Sequence, residues 1–314
     1  LVIEDNDFAY EIGAKLKNAG MIKSDTVWTW WMDRNYPDFT YYNGEYYLNA
    51  GMSYQDLAEK LQNPDISHKK VKVTIPEGYE CEDIFRLLEA DGVCSYQGLA
   101  STLEKKNVCS AKDFLKACST TEGYDYDWLA DFPKNDPHVG YVLEGFLFPA
   151  TYDFGENSKA TDIADVMLEA FDQRITDEVK TYCKQRGYTL YQFVTLCSIV
   201  QKEALSKSSQ GNIASTLENR LDKGMKIECD VTYYYAKALR DHGFSQSVYD
   251  AYYTYRCPGL PAGPIANPGT EIMTATVEHP STDYLYFFSD LKGNFHFAAT
   301  YGEFESLKAK YPWK

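Results

Sequence analysis

The stretch Leu190-Tyr-Gln-Phe-Val-Thr-Leu-Cys-Ser-Ile-Val-Gln-Lys-Glu-Ala204 decides the fold of this chain. Its apolar side chains follow the helical period on two faces: Leu190, Phe193, Val194 and Cys197 on the first, Leu196, Ile199 and Val200 on the second. A helix without a polar stripe is buried. The segment therefore predicts a central helix around which other parts of the chain pack.

One carboxylate interrupts this helix near its end. Glu203 lies at helical spacing from three of the apolar residues and shares their face. Partial removal from water raises the pKa of a carboxyl group, and protonation of a glycosidic oxygen requires a carboxyl group of this kind. The alternative is a helix-end Glu that reaches solvent or pairs with Lys202 or Lys207. From these residues alone, both interpretations remain open.

Other segments show equally plain local signals. They predict helices over 163–171, 212–221 and near Ala111–Cys118, a shaped loop over 259–269, and a hairpin of 284–289 with 295–298. The loop contains Gly259-Leu-Pro-Ala-Gly-Pro, and prolines and glycines at this density exclude a helix or a central strand.

The first hundred residues contain an internal repeat. Ile3, Ile12, Leu16 and Gly20 recur 72 residues later as Ile75, Ile84, Leu88 and Gly92. Each copy predicts a strand, a turn and an amphipathic helix ended by Gly, and residues 51–61 repeat the turn and helix once more. Such units resemble the LysM carbohydrate-binding module, and a generic α/β packing unit is the equal alternative.

Composition excludes several classes of protein. The net charge of −15, without a cluster of Lys and Arg, excludes a nucleic-acid-binding protein. No stretch approaches the 18 apolar residues of a membrane-spanning helix. Because the chain begins at Leu1 rather than Met, we expect a processed or truncated product, in which any upstream anchor would lie outside this sequence.

The eight cysteines are spread along the chain without a C-x-x-C pair. Their spacing therefore predicts no zinc site, and mostly free thiols are favoured.

Several motifs stand in the order found in one family. Ser198-Ile-Val-Gln-Lys-Glu203 resembles the S-I-V-E-K-E signature of the endolytic murein transglycosylases of the YceG/MltG type. The other matching motifs are Val73-Thr-Ile-Pro-Glu-Gly78, Leu143-Glu-Gly-Phe-Leu-Phe-Pro-Ala-Thr-Tyr152, Asn219-Arg-Leu-Asp-Lys-Gly-Met225, Asp230 with Thr232, Thr254-Tyr-Arg256, the loop 259–269 and Thr282-Asp-Tyr-Leu-Tyr-Phe287. The resemblance covers essentially the whole chain.

The resemblance implies a lytic enzyme that cleaves the MurNAc–GlcNAc bond of peptidoglycan, leaves 1,6-anhydro-MurNAc ends and thereby terminates strand elongation. It implies that Glu203, the second acid of the signature, is the catalytic acid and base. The first acid is replaced here by Gln201, which cannot protonate a leaving group. Neither a metal nor an organic cofactor is implied.

The motifs also supply candidate substrate-binding residues: Glu144, Asn219, Arg220, Asp230, Thr232 and Asn267. Asn219 and Asp230 are expected to bind N-acetyl groups or to orient Glu203. Arg220 either holds Glu144 in an ion pair or contacts the substrate. Departures from the family pattern are Cys229 for Ser, Val231 for Pro, Tyr253 for Asn and Phe295 for His.

For the architecture, the resemblance implies an α+β fold: a LysM-like module at 1–70 followed by a larger mixed α/β catalytic domain at 71–314. The second repeat copy at 73–95 leaves that boundary open. The expected partners are peptidoglycan glycan strands and proteins of the wall-synthesis machinery. The expected location is the cell membrane, with a single-pass anchor outside this sequence and the present portion facing outward.

Three rival functions stay open. The first is a hydrolytic muramidase with Asp230 or Glu144 as its second carboxylate. The second is a non-catalytic peptidoglycan-binding scaffold. The third is aminodeoxychorismate lyase, a label attached to this family, whose chemistry needs pyridoxal phosphate on a Lys and a phosphate cradle. No Gly-rich cradle precedes a helix in this sequence.

Overall fold

The computed structural model describes residues 1–3, 7–37, 39–42, 44–46, 48, 51–62, 70–93, 110–155, 158–204 and 206–313. The helices in these ranges are α1 (Ala9–Asn18), α2 (Asp25–Asn35), α3 (Tyr54–Gln62), α4 (Cys81–Ala90), α5 (Ala111–Cys118), α6 (Ala160–Asp172), α7 (Asp177–Arg186), α8 (Leu190–Glu203), α9 (Lys207–Asp222), α10 (Asp230–Asp241), α11 (Gln246–Tyr252), α12 (Thr270–Val277) and α13 (Tyr301–Lys310), with a short 3-10 helix at Asp127–Asp131. The strands are β1 (Val2–Ile3), β2 (Gly44–Glu45), β3 (Lys70–Thr74), β4 (Thr151–Gly155), β5 (Tyr286–Ser289) and β6 (Phe295–Ala298). They pair as three antiparallel two-stranded sheets, β1 with β2, β3 with β4 and β5 with β6.

Helix α8 is the buried central helix that its apolar pattern predicts. Every residue from Phe193 to Val200 is buried, and α8 contacts α7, α9, α10, α12 and the 3-10 helix. Thr189 starts it with a capping box, in which its hydroxyl accepts from the N–H of Gln192 at 3.1 Å. Inside, the Ser198 hydroxyl accepts from the N–H of Ile265 at 3.0 Å, which ties the Gly/Pro loop to the helix.

The residues before 62 build an apolar core of their own. It contains Ile3, Ile12, Leu16, Ile22, Trp28, Met32, Tyr46, Leu57, Ala58 and Leu61. Ile12 and Leu16 reach the same core because residues four apart lie on one face of α1. Gly20 then ends the unit with φ +72°, a conformation that glycine adopts without steric cost.

The second repeat copy belongs to a different core. Its helix α4 buries Ile84 and Leu88 in the large apolar cluster that extends from Val73 to Met273. Its strand β3 pairs with β4 rather than with β1. Both copies therefore have the predicted strand and helix, but they do not share a sheet. The fold is a mixed, helix-rich one with small sheets, and the division at residue 70 stays a prediction.

The other local predictions are confirmed with small shifts of boundary. Helix α5 occupies the predicted residues, α6 covers 163–171, and α9 begins five residues before position 212. Gly224 follows α9 with φ +65°. The loop 259–269 contains no helix or strand, and β5 and β6 form the hairpin.

Two further findings concern single sequence features. No helix within the described ranges is long and apolar enough to cross a membrane. Six cysteines are free thiols in the structure: Cys81, Cys118, Cys183, Cys197, Cys229 and Cys257. Cys94 and Cys109 lie outside the described residues.

Candidate functional site

A groove of about 400 Å³ opens at the end of α8. This volume lies in the range of sites that bury a small organic ligand. Its lining mixes charged and aromatic side chains: Lys202, Glu203, Arg220, Ile227, Glu228, Cys229, Asp230, Tyr255, Phe287, Phe288, Ser289, Phe295, Phe304, Lys308 and Trp313. Such a surface offers flat apolar faces next to hydrogen-bonding groups, which is the combination that sugar rings require.

Glu203 is the last residue of α8, and its half-buried carboxyl group lines this groove. Burial raises its pKa to about 7, and the nearby negative charge of Asp230 acts in the same direction. The Cys229 thiol and the backbone N–H of Val231 donate hydrogen bonds that partly oppose the rise. Both donors belong to the start of α10, where free N–H groups favour a carboxylate. Glu203 can therefore both release and recover a proton near neutral pH.

The start of α10 is held by two buried hydroxyl groups. Thr232 donates to the carbonyl of Cys229 at 2.7 Å, and Thr254 accepts from the N–H of Cys229 at 3.1 Å. The two hydroxyls also bond each other at 2.8 Å. The residue before this turn, Glu228, has φ +54°, an uncommon conformation for a residue with a side chain. Thr232 thus lies beneath the groove and shapes it rather than lining it.

Asp230 is exposed and lines the groove beside Glu203. Its Oδ1 accepts a hydrogen bond from the Tyr255 hydroxyl oxygen, 2.9 Å away. This bond holds an exposed aromatic ring and a carboxylate side by side on one wall.

Arg220 lines the groove as well, but it does not pair with Glu144. Its Nε donates to the carbonyl of Leu285 at 2.6 Å, and one terminal nitrogen donates to those of Lys226 and Ile227 at 3.1 and 2.9 Å. The acid near it is Glu228, at 3.4 Å. The proposed Arg220–Glu144 ion pair is therefore wrong, because carbonyl groups of the α9–α10 turn and of the segment before β5 occupy the guanidinium.

Glu144 lies in the interior, with none of its surface exposed. Its carboxylate accepts from the N–H of Cys81 at 3.0 Å, the Tyr235 hydroxyl at 3.1 Å and the Asn267 amide at 2.9 Å. Burial nevertheless raises its pKa to about 8. This position favours a role in joining α4, α10 and the Gly/Pro loop over contact with a substrate.

Asn267 is the partner of Glu144 and is also fully buried. Its amide donates to the carbonyl of Tyr79 at 2.9 Å and accepts from the N–H of Leu147 at 2.8 Å. Asn219 is half-buried and donates to the carbonyls of Thr282 and Tyr284 at 2.9 and 3.0 Å. Neither residue lines the groove. Of the predicted site residues, the structure brings Glu203, Asp230 and Arg220 together there, and a substrate contact by the other four stays a prediction.

The side chains of the last three residues of α8 contact different parts of the protein. Gln201 accepts from the N–H of Gly269 at 3.0 Å, which fixes the end of the Gly/Pro loop. Lys202 donates to the Glu80 carboxylate at 3.0 Å and to the carbonyl of Gly78 at 3.3 Å. These three contacts hold the helix end while Glu203 faces the groove. Residues in and next to the motif that ends at Gly78 thus fix the end of the helix that carries Glu203.

Several groove residues were not among the predicted site residues. Tyr255 and Phe287 lie inside motifs shared with the family, so those motifs could have identified them as candidate site residues. Phe304, Lys308 and Trp313 belong to a C-terminal segment without a motif, and only their position in space reveals them.

Comparison with known proteins agrees with the motif order. The model of the YceG-like family matches residues 1–310. The endolytic murein transglycosylase of Streptococcus pneumoniae (strain D39) is 28% identical over 317 residues, which cover 94% of this chain and 55% of that protein. The protein of the same name from Bacillus subtilis (strain 168) is 29% identical over 307 residues, with coverage of 96% and 81%. The chain thus spans about half the length of the pneumococcal relative.

A solved structure extends the agreement to the fold. The crystal structure of a yceG-like protein from Listeria monocytogenes superposes with a TM-score of 0.60 at 27% identity, and the match covers 98% of each chain.

Proposed function

The chain belongs to the YceG-like family, and on that premise we propose that it is an endolytic murein transglycosylase that cleaves the MurNAc–GlcNAc bond within peptidoglycan strands. The relatives from Streptococcus pneumoniae and Bacillus subtilis, both named endolytic murein transglycosylase, support the reaction and the substrate. The observation that carries the proposal is the position of Glu203, a half-buried carboxyl group on the wall of a groove rich in aromatic side chains.

In the proposed reaction, Glu203 acts first as an acid. Its protonated form gives the proton to the oxygen that leaves C1 of N-acetylmuramic acid, and the C1–O bond breaks through an oxocarbenium-like state. The carboxylate that remains is stabilised by the N–H of Val231 and the thiol of Cys229.

Glu203 then acts as a base. It removes the proton of the C6 hydroxyl of the same sugar, and O6 forms a bond to C1, which closes the 1,6-anhydro ring. Water is not a reactant, so a single carboxyl group is sufficient, whereas most hydrolytic glycosidases need two. The aromatic side chains Phe287, Phe288 and Phe295 favour this outcome because they line the groove with apolar surface.

The decisive experiment is digestion of purified glycan strands by the unsubstituted protein and by Glu203→Gln, with mass spectrometry of the products. We expect internal cleavage with anhydro ends, each one water lighter than a reducing end, and no cleavage by Glu203→Gln. Cleavage at an undiminished rate by the amide variant would refute the proposal.

The same digest tests a hydrolytic muramidase as the second candidate. The observation in its favour is that a second carboxylate, the exposed Asp230, lines the groove beside the half-buried Glu203. Reducing ends in place of anhydro ends, together with loss of cleavage in Asp230→Asn, would establish hydrolysis.

Two finer parts of the proposal concern regions away from the groove. We propose that the N-terminal region binds glycan in the manner of a LysM module, because Phe8, Tyr10 and Trp30 are exposed on it. Trp30→Ala should then weaken binding to isolated murein sacculi. We also propose that the protein acts at the outer face of the cell membrane through an anchor beyond this sequence, with wall-synthesis proteins as partners. Membrane fractionation with protease accessibility tests this location.

A further inference from the structure

Three side chains near the C-terminus line the same groove as Glu203. They are Phe304 and Lys308 of α13, and Trp313. None of them belongs to the recognised motifs. One wall of the groove is therefore formed by residues outside the recognised motifs.

This wall is held against the hairpin of β5 and β6. Trp313 forms a backbone bridge with Asp290, and the N–H of Leu291 donates to the carbonyl of Pro312 at 2.9 Å. The ring of His296 stacks on that of Tyr311, with the ring centroids 3.9 Å apart. The backbone at Trp313 is thus fixed while the residue remains 48% exposed. A held but half-exposed Trp offers a flat ring at low entropic cost, which is suited to stacking on the apolar face of a sugar.

Lys308 places a positive charge next to this ring. Its ammonium group lies 3.9 Å from the ring centroid of Trp313 and 5.0 Å from that of Phe304. In the described part of the chain, its acidic neighbour is Glu305 at 3.5 Å, a residue whose side chain is 50% exposed. By contrast, Lys202 bonds Glu80 at 3.0 Å. The ion pair of Lys308 is therefore longer than that of Lys202 and has a more exposed acidic partner, so an acid holds its ammonium group less tightly.

The charges along the groove are unevenly arranged. The acids Glu203, Glu228 and Asp230 come from the end of α8 and the start of α10, whereas Lys308 comes from α13. Two cations also line the side of the acids, but Lys202 pairs with Glu80 and the Arg220 guanidinium donates to carbonyl groups. A ligand carrying a carboxylate gains by placing it near Lys308 and loses by placing it near Asp230.

We propose that Trp313 and Lys308 form a subsite for an acidic sugar unit, with the sugar face on the indole ring and its carboxylate on the ammonium group. The proposal rests on the proposed function, since it concerns recognition of the same glycan. The carboxylate has two sources in murein: the lactyl group of a muramic acid without a stem peptide, and the stem peptide itself.

The test is a set of calorimetric titrations in the Glu203→Gln protein, which binds substrate without cutting it. The ligands are peptide-free glycan strands, strands that retain stem peptides, and a neutral chitooligosaccharide of equal length. The variants are Trp313→Ala, Trp313→Phe and Lys308→Gln. The matched controls are Tyr234→Ala, an exposed aromatic on α10, and Lys292→Gln in the hairpin turn, neither of which lines the groove.

We expect Trp313→Ala to weaken binding of all three ligands about fivefold to tenfold, and Trp313→Phe to retain most of the affinity because it keeps a ring. We expect Lys308→Gln to weaken only the acidic ligands, about fivefold at low salt and less at high salt. A larger effect with peptide-free strands assigns the lactyl carboxylate, and a larger effect with peptide-bearing strands assigns the stem peptide.

The proposal is overturned if Lys308→Gln weakens the neutral oligosaccharide as much as the acidic strands. It is equally overturned if Trp313→Ala and Trp313→Phe bind as the parent does, or if none of the glycans binds. Its failure is separable from that of the proposed function, because cleavage is measured with the unsubstituted protein and binding with the uncleaving one.

Discussion

The ionisation of Glu203 should control the pH dependence of cleavage. With a pKa of about 7, roughly half of the molecules carry the catalytic proton at pH 7. At the ordinary pKa of 4.5, only about 0.3% of them would carry it. Burial at the groove thus increases the competent fraction about 150-fold at neutral pH. We expect the rate to decline as pH rises through 7 and then to fall about tenfold per pH unit.

Substitution of two neighbours of Glu203 should shift this decline in rate, the alkaline limb of the pH profile, in opposite directions. Cys229 donates to the carboxylate and lowers its pKa, so Cys229→Ala should raise the pKa and move the limb to higher pH. Asp230 raises the pKa of Glu203 by like-charge repulsion, so Asp230→Asn should move the limb to lower pH. Each neighbouring interaction of this kind is worth about 1 kcal/mol or less, so we expect shifts of up to about one pH unit.

The assay is the initial rate of glycan-strand cleavage between pH 5 and 9 at constant ionic strength, quantified by mass spectrometry of the released fragments. Tyr234→Ala, which changes a side chain outside the groove, serves as the control and should leave the limb in place. A limb with a midpoint below pH 5, or one that moves in the same direction in both variants, would refute the assignment of the acid.

Three further predictions concern the structure around the acid. Glu144 is fully buried with a pKa raised to about 8, so its contribution to folding is complete below about pH 4.5 and is lost as pH rises through 8. Because part of that loss has already occurred by pH 6, urea unfolding at pH 6 and 9 should show a decrease of about 2–3 kcal/mol, smaller in Glu144→Gln. Lys202→Met keeps the aliphatic stem but leaves Glu80 without its cation, so we expect kcat to fall about threefold to tenfold with KM little changed, as steady-state kinetics on glycan strands will show. Arg220→Lys loses the bonds to three carbonyls that one guanidinium makes, and calorimetry should show a lower Tm, equivalent to about 2–3 kcal/mol.

Local patterns along the chain were sufficient for most individual elements. The all-round apolar character of α8 predicts a buried helix because each side chain of a buried helix must meet another apolar surface. For the same reason, a carboxyl group placed on an apolar face at its end is partly desolvated wherever the helix packs. Gly and Pro positions likewise locate the loop 259–269, because they restrict the backbone of that loop directly. These conclusions need only short-range geometry.

The repeat shows where short-range geometry stops being sufficient. Ile12 and Leu16, like Ile84 and Leu88, predict one buried face on each helix, and both faces are buried. The pattern does not specify which surface covers that face, and the two copies are in fact buried in different cores. Likeness to a LysM module depends on that missing information.

The partners of charged groups were decided by the tertiary structure alone. Arg220 has many acids available along a chain of net charge −15, and its actual partners are carbonyl oxygens that carry no mark in the sequence. The donors to Glu203 come from the start of α10, and Trp313 reaches the groove because the chain end pairs with the hairpin turn. The periodicity of apolar residues shows which face of a helix is buried, because that face is formed by residues three and four positions apart. The neighbours that a side chain meets across a groove depend on how all the helices close around the core, and only the folded molecule contains that information.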